Sequence, residues 1–147
     1  MKERSIKNIF VQGPITPEKI AKSIAAHQSK TGIGAHDIFL GQVRADEVDG
    51  KKVQAIEFTA QEEMANAVCH EIREATFEKF DLSCMHIYHS LGRVEAGELC
   101  IFVFVSSGHR QQVFEALPHL VNEIKARVPI FGKEIFEDET HQWKENR

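Results

Sequence analysis

The order of strand-like and helix-like segments constrains this chain more than any other feature. Two strand-like runs lie between the first and second helical segments, and two more lie between the second and third. Consecutive strands joined by a short turn run antiparallel. Ser5 to Val11 reads as the first strand. Thr16 offers an N-cap with Pro17 at the first helical position. Ile20, Ile24 and Ala25 give that helix an apolar face, and Gly32 and Gly34 close it. Ala35 to Val43 is strand-like. Arg44 to Lys52 is polar, contains Asp49-Gly50 and reads as a hairpin loop, and Val53 to Thr59 returns as a strand. Met64, Val68, Ile72 and Ala75 keep helical spacing through a second helix. Leu82 to Leu91 and Leu99 to Val105 form another strand pair around a turn at Gly92 to Gly97. Val113, Leu117, Leu120, Ile124 and Val128 mark a third helix, which Pro118 either kinks or delays by removing one ladder bond. Pro129 to Phe136 is the last strand. The order β-α-β-β-α-β-β-α-β predicts an α+β sandwich, a mostly antiparallel sheet with helices packed on it, related to ferredoxin-like plaits.

At 147 residues the chain reads as one domain, 1–147, with room for a real core. A net charge of −4 argues against a dedicated nucleic-acid binder but leaves space for a local basic pocket. No run approaches the roughly 18 apolar residues of a membrane span. Met-Lys-Glu-Arg-Ser at the start shows no signal-peptide apolar region. Cys69, Cys84 and Cys100 are widely spaced and odd in number, as expected of reduced thiols in a cytoplasmic protein. All three are expected to be core filler.

The segment Ile124 to Glu134 holds three cations within nine residues, Lys125, Arg127 and Lys133, around an apolar Val-Pro-Ile-Phe stretch. Pro129 ends the helical pattern, which sets Lys125 near a helix C-terminus and Lys133 beyond a short strand. Either an anion binds among these cations, or they are solvated charges that favour the helix dipole. Gly34 to Arg44 ends a strand in an arginine whose planar fork suits phosphate or carboxylate. Gly41 either admits a close ligand or backbone, or marks a bulge. Ser106-Ser107-Gly108-His109-Arg110 joins a strand to the third helix. Its backbone N–H groups can hold an anion at the helix start, or Ser107 is a plain N-cap. His86 and His89 face opposite sides of a strand and lack further ligands, so no metal site is expected.

In this order and spacing, the segments resemble the large subunit of molybdopterin synthase. The resemblance rests on Gly34-Ala35 through Phe39, Gly41, Val43-Arg44, Glu57-Phe58, Met64-Ala65, His89 with Leu91-Gly92, and Gly97-Glu98. It continues through Ser106-Ser107, His109-Arg110, Phe114-Glu115-Ala116, Ile124-Lys125, Val128-Pro129-Ile130 and Lys133-Glu134, covering residues 5 to 143. It implies an α/β hammerhead with a ferredoxin-like part, and a homodimer within a heterotetramer. Each large subunit would bind one small ubiquitin-like sulfur carrier whose C-terminal Gly-Gly tail bears a thiocarboxylate. Two sulfurs would pass to cyclic pyranopterin monophosphate, forming the dithiolene of molybdopterin, with no cofactor.

The resemblance also implies site roles. Lys125, Lys133 and Arg44 would be catalytic. Gln42, Val43, Arg44, Lys125, Gly132, Lys133 and Glu134 would meet the substrate, and Phe39 would line the pocket. His109 and Arg110 would bind the phosphate and reach the site of the partner subunit. Two anions must meet in one pocket, so cations that offset their repulsion and stabilise developing charge are expected. A lysine crowded by other cations has a lowered pKa and can act as acid or nucleophile. The sequence departs from the family at two places. Gly132 stands where the family has a functional lysine, and Ser90 where it often has arginine. Lys133 is the neighbouring replacement, but strand neighbours face opposite sides, so this requires Gly132 to re-aim the chain.

Two rival readings use the same residues. One is a ferredoxin-like module that binds a phosphorylated small molecule without chemistry and needs no Lys125. The other is a scaffold that grips the carrier but has lost activity through Gly132.

Overall fold

A computed structural model of the protein describes residues 5–145. Its elements are β1 (Phe10–Gln12), α1 (Pro17–His27), β2 (Ala35–Gln42), β3 (Glu47–Val48), β4 (Lys51–Ala60), α2 (Glu62–Lys79), β5 (Cys84–Glu95), β6 (Leu99–Ser107), α3 (Arg110–Arg127), β7 (Ile130–Phe136) and β8 (His141–Trp143). The strands form one sheet in the order β2-β6-β5-β4-β7-β8, with β1 added on β5 and β3 on β4. All pairs are antiparallel except β1 with β5. The expected α+β architecture is therefore present.

β6 explains the two-sided core. Ile101, Val103 and Val105 point to one face, where they join Ala65, Cys69 and Ile72 of α2 and Val113, Leu120 and Ile124 of α3. Phe102 and Phe104 point to the other face and pack with Ile15 and Ile20. Alternation by period two thus buries both faces and produces the continuous apolar run. Each buried Val, Leu, Ile or Phe among these stabilises the fold by roughly 1.5–3 kcal/mol relative to exposure.

Several elements differ from the sequence expectation. The first strand shrinks to Phe10–Gln12. Side-chain amides take the backbone donors at its start: Ile9 N–H donates to Asn66 Oδ1 at 3.0 Å and Phe10 N–H to Asn8 Oδ1 at 3.1 Å. α1 ends at His27, ahead of Gly32, and leaves Ile24 and Ala25 exposed. The buried stripe of α2 is Ala65, Cys69, Ile72 and Thr76, one residue out of phase with Met64 and Ala75, which face solvent. Arg73 is buried beside this stripe and donates to Met85 O at 3.1 Å, which ties the helix to β5. α3 begins at Arg110, well before Pro118, and Val128 lies just past its end. β3 pairs with β4 inside the expected Arg44–Lys52 loop. β8, a short strand after the turn at Asp138–Thr140, was not anticipated.

Gly92 is a bend rather than part of a turn. β5 pairs with β6 up to His89↔Ile101, then with β4 from Gly92↔Phe58 to Glu95. Gly92 takes φ +83°, a conformation that glycine adopts without a Cβ penalty, and β5 there passes from one half of the sheet to the other. The actual turn sits at Ala96-Gly97, where Glu98 N–H returns to Glu95 O at 3.0 Å.

Candidate active site

A pocket of about 120 Å³ opens at this bend of β5. Phe58 comes from β4, His89 from β5 and Ile101 from β6. Ile124 and Lys125 come from the last turn of α3, Val128 follows it, and Ile130 and Gly132 come from β7. Lys144 and Glu145, beyond β8, complete the rim. The break imposed by Pro129 lets a helix end and a strand start line the same cavity.

Lys125 lines the mouth of this pocket, its aliphatic stem beside the apolar residues and much of the side chain exposed. Burial pushes its pKa below the ordinary lysine value, and the Lys144 ammonium pushes in the same direction, while Cys100 acts in the opposite sense. Arg127, two residues on, faces away and forms ion pairs with Glu71 at 3.1 Å and Glu123 at 3.7 Å. The two cations of the helix end therefore have different roles: one is a solvated partner of carboxylates and the other faces the pocket.

His89 is buried, with its ring edge-on to Phe58 at 5.0 Å and 81°. Burial lowers its pKa to about 4; the Ser90 carbonyl opposes this, and Lys125 and Lys144 add to it. It is neutral at pH 7. Its Nδ1 lies 2.8 Å from the Ser90 carbonyl and so carries the proton there, leaving Nε2 as an acceptor. The site thus presents two lysines, one carboxylate (Glu145) and a neutral imidazole beside the apolar side chains of Phe58, Ile101, Ile124, Val128 and Ile130, a mixed lining whose net positive charge favours an anionic group. Coulombic attraction is stronger there than in bulk solvent.

The expected site residues separate into groups. Lys125 and Gly132 lie together in the pocket. Lys133 lies on the opposite face of β7, its Nζ 3.9 Å from Glu57 Oε2. Gly132 has no positive φ, so the chain is not re-aimed. Glu134 is buried one step further along the pocket face and accepts from Gln142 Nε2 at 3.1 Å. Val43 is buried in the core beneath β4. Gln42 is exposed, and Arg44, 67% exposed, pairs with Asp46 at 3.2 Å. Gly41 packs against Ile101, whose Cγ2 would lie 2.4 Å from a Cβ there, so its missing side chain serves internal packing. Phe39 lines a separate open groove between β2 and α3, with Phe114 and Pro118.

His109 and Arg110 are exposed at the start of α3. Lys125 is in the last turn of the same helix, and a rise of 1.5 Å per residue separates it from Arg110 by about 22 Å. Ser107 is not the cap: its hydroxyl donates to Asp81 O at 2.7 Å, and His109 occupies the N-cap position without a side-chain cap bond. Ser106 Oγ lies 2.7 Å from His36 Nδ1. Cys69 is buried and burial raises its pKa to about 11, while Cys84 and Cys100 are only partly buried. Among the described residues no group of three or more metal-ligating side chains gathers, and no helix is long and apolar enough to cross a membrane.

Sequence reasoning missed Lys144, and treated His89 only as a metal candidate and a family match. Lys144 reaches the pocket through a hairpin too short and polar to announce itself.

The family model described as MoaE protein matches residues 11–127. The molybdopterin synthase catalytic subunit of Pyrococcus abyssi is 39% identical over 117 residues, covering 80% of this chain and 78% of that protein. That of Drosophila willistoni is 39% identical over 121 residues, covering 79% of this chain and 32% of the relative, so the chain spans about a third of the fly protein. The crystal structure of molybdopterin synthase from Staphylococcus aureus matches with a TM-score of 0.79 at 28% identity, covering 99% of this chain and 98% of that one.

Proposed function

Because this chain belongs to the MoaE family, we propose that it is the catalytic large subunit of a molybdopterin synthase. In this reading it takes sulfur from the thiocarboxylated Gly-Gly tail of a small ubiquitin-like carrier. It delivers two sulfurs to cyclic pyranopterin monophosphate, forming the dithiolene, and works in the cytoplasm. The observation that carries the reading is Lys125, held in the apolar pocket at the end of α3 with its pKa lowered by burial and by Lys144.

The chemistry fits that placement. Donor and acceptor both bring negative charge, and a pocket with two inward cations offsets their repulsion. As an ammonium, Lys125 stabilises the charge that develops on the tail's carbonyl during acyl-type transfer. Its lowered pKa also makes its proton easier to give up and its amine easier to populate, as an acid or a nucleophile requires.

The 22 Å or so between the two ends of α3 supports a homodimer. His109 and Arg110 cannot share a pocket with Lys125 of their own chain, so phosphate binding by them requires a second copy. Arg44, on an exposed loop, would join the substrate in the same assembly, a homodimer of large subunits carrying two small subunits.

The test is product formation from cyclic pyranopterin monophosphate and thiocarboxylated carrier, with wild type and Lys125→Ala. Dithiolene product from wild type, lost in the variant while carrier binding persists, supports the reading. Carrier binding without product from wild type would show a scaffold, and binding of the pterin without any carrier would show a sensor module.

A further inference from the structure

The β7–β8 ladder places a second lysine where β7 has no side chain. Its register pairs Lys133 with Trp143, Glu134 with Gln142 and Ile135 with His141. Continued one residue further, it sets Lys144 opposite Gly132, and Lys144 N–H donates to Gly132 O at 2.8 Å. Residues directly opposite in an antiparallel pair present their side chains on the same face. Phe58 is opposite Gly132 on the other side, in β4. Phe58, Gly132 and Lys144 therefore share one face, and all three line the pocket. Lys133, Glu57 and Trp143 share the other face by the same register.

Gly132 has a reason to be bare. A Cβ there would lie 3.0 Å from Ile56 Cγ2 and 3.3 Å from Phe58 Cε1. The Phe58 ring lies over the glycine as a wall, and a cation reaches this side of the pocket from the neighbouring strand. The charge of Lys144 is felt at Lys125, His89 and Cys100, three groups on three different elements around the cavity.

We propose that Lys144 is a substrate-binding residue, the second cation of the pocket, which grips the anionic end of a reactant opposite Lys125. The proposal rests on the synthase reading above. Two sources share the required chemistry: the terminal thiocarboxylate or carboxylate of the carrier tail, and the phosphate of the pterin.

The experiment compares wild type, Lys144→Ala, Lys144→Arg and Lys125→Ala, with Trp143 fluorescence confirming that the hairpin is folded. Product formation in Lys144→Ala is expected to fall by about 10- to 100-fold in kcat/KM, the effect of one lost charge-assisted hydrogen bond, with Lys144→Arg recovering most of it. Weakened binding of carrier ending in a Gly-Gly carboxylate assigns the cation to the tail, and a raised KM for cyclic pyranopterin monophosphate assigns it to the phosphate. A third arm needs no turnover: the pH dependence of Lys125 labelling by an amine-reactive reagent, read by mass spectrometry. Its midpoint should move up in Lys144→Ala and stay in Lys144→Arg. If wild type makes product and Lys144→Ala matches it in rate and in both affinities, the proposal fails while the synthase reading stands. If wild type makes no product, that reading fails, and an unmoved labelling midpoint overturns the role of Lys144 as well.

Discussion

His27 Nε2 and His86 Nε2 lie 2.9 Å apart, linking the end of α1 to β5. His27 Nδ1 is 2.6 Å from the Ser23 carbonyl and must carry its proton there. In the neutral pair, His86 therefore donates to His27. Both rings pack against Phe104, at 4.9 and 5.9 Å.

His86, in this pair, and His89 make the fold acid-sensitive. Burial lowers the pKa of His86 from 6.5 to about 4, helped by His27, Lys7, Arg73 and Lys30. His89 falls to about 4 for the reasons given above. The native state thus binds these protons less readily than the unfolded chain. Stability is complete above pH 6.5, falls between 6.5 and 4, and levels off below. Buried His89 alone should cost about 2 kcal/mol by pH 5, with His86 adding a smaller, solvent-screened amount. Urea unfolding at pH 7 and pH 5 measures the loss, and His86→Gln should reduce the slope. Equal stability at the two pH values would show that neither ring is held neutral by the fold.

Much of this arrangement was legible beforehand because it follows from local chemistry. Pro129 had to end a helix, and α3 stops at Arg127 with β7 starting at Ile130. Lys125 and Gly132, flanking that break, line one pocket. What was not legible depends on partners distant in sequence. The phase of α2 is set by tertiary partners, among them the Met85 carbonyl that accepts from buried Arg73. Gly92 looks like a turn glycine until β5 is seen to change partners there. Lys144 has no motif, and its place comes from hairpin register alone.

Adding a lysine side chain to β7 at Gly132 should not raise turnover. In Gly132→Lys the new Cβ would press on Ile56 and Phe58 at 3.0 and 3.3 Å. Displacing a packed ring costs about 1–3 kcal/mol. The variant should unfold at lower urea and turn over no faster than wild type. A faster, equally stable Gly132→Lys would mean that Phe58 yields freely and that the pocket has room for a third lysine.

Lys133 offers the contrasting case. Its ammonium is 3.9 Å from Glu57 across the β4–β7 ladder and on the face away from the pocket. A partly exposed cross-strand pair of this kind contributes about 0.5 kcal/mol. Lys133→Ala should therefore lose little stability, and its drop in kcat/KM should be smaller than that of Lys144→Ala. A larger drop from Lys133→Ala would place the second cation on the other face of β7.

The hairpin that presents Lys144 is held at its tip, far from the pocket. Asp138 accepts from the Thr140 hydroxyl and N–H, and its other oxygen is 3.1 Å from Lys51 Nζ on β4. These bonds, the Thr140 hydroxyl foremost, hold the Asp138 pKa near 2. The carboxylate thus keeps its partners above its ordinary value of 3.8 and loses them as pH falls through 2. Glu139 stands beside it at φ 65°, a conformation uncommon for a side chain of its kind, which leaves the turn dependent on the Asp138 bonds. Asp138→Ala should loosen β8 without touching the cavity. The Lys144 amide, bonded to Gly132 O, should then exchange its hydrogen roughly tenfold faster. Turnover should fall with it, and the Lys125 labelling midpoint should rise as the Lys144 charge spends less time in the pocket. Faster exchange with unchanged turnover would show that Lys144 needs no fixed backbone position.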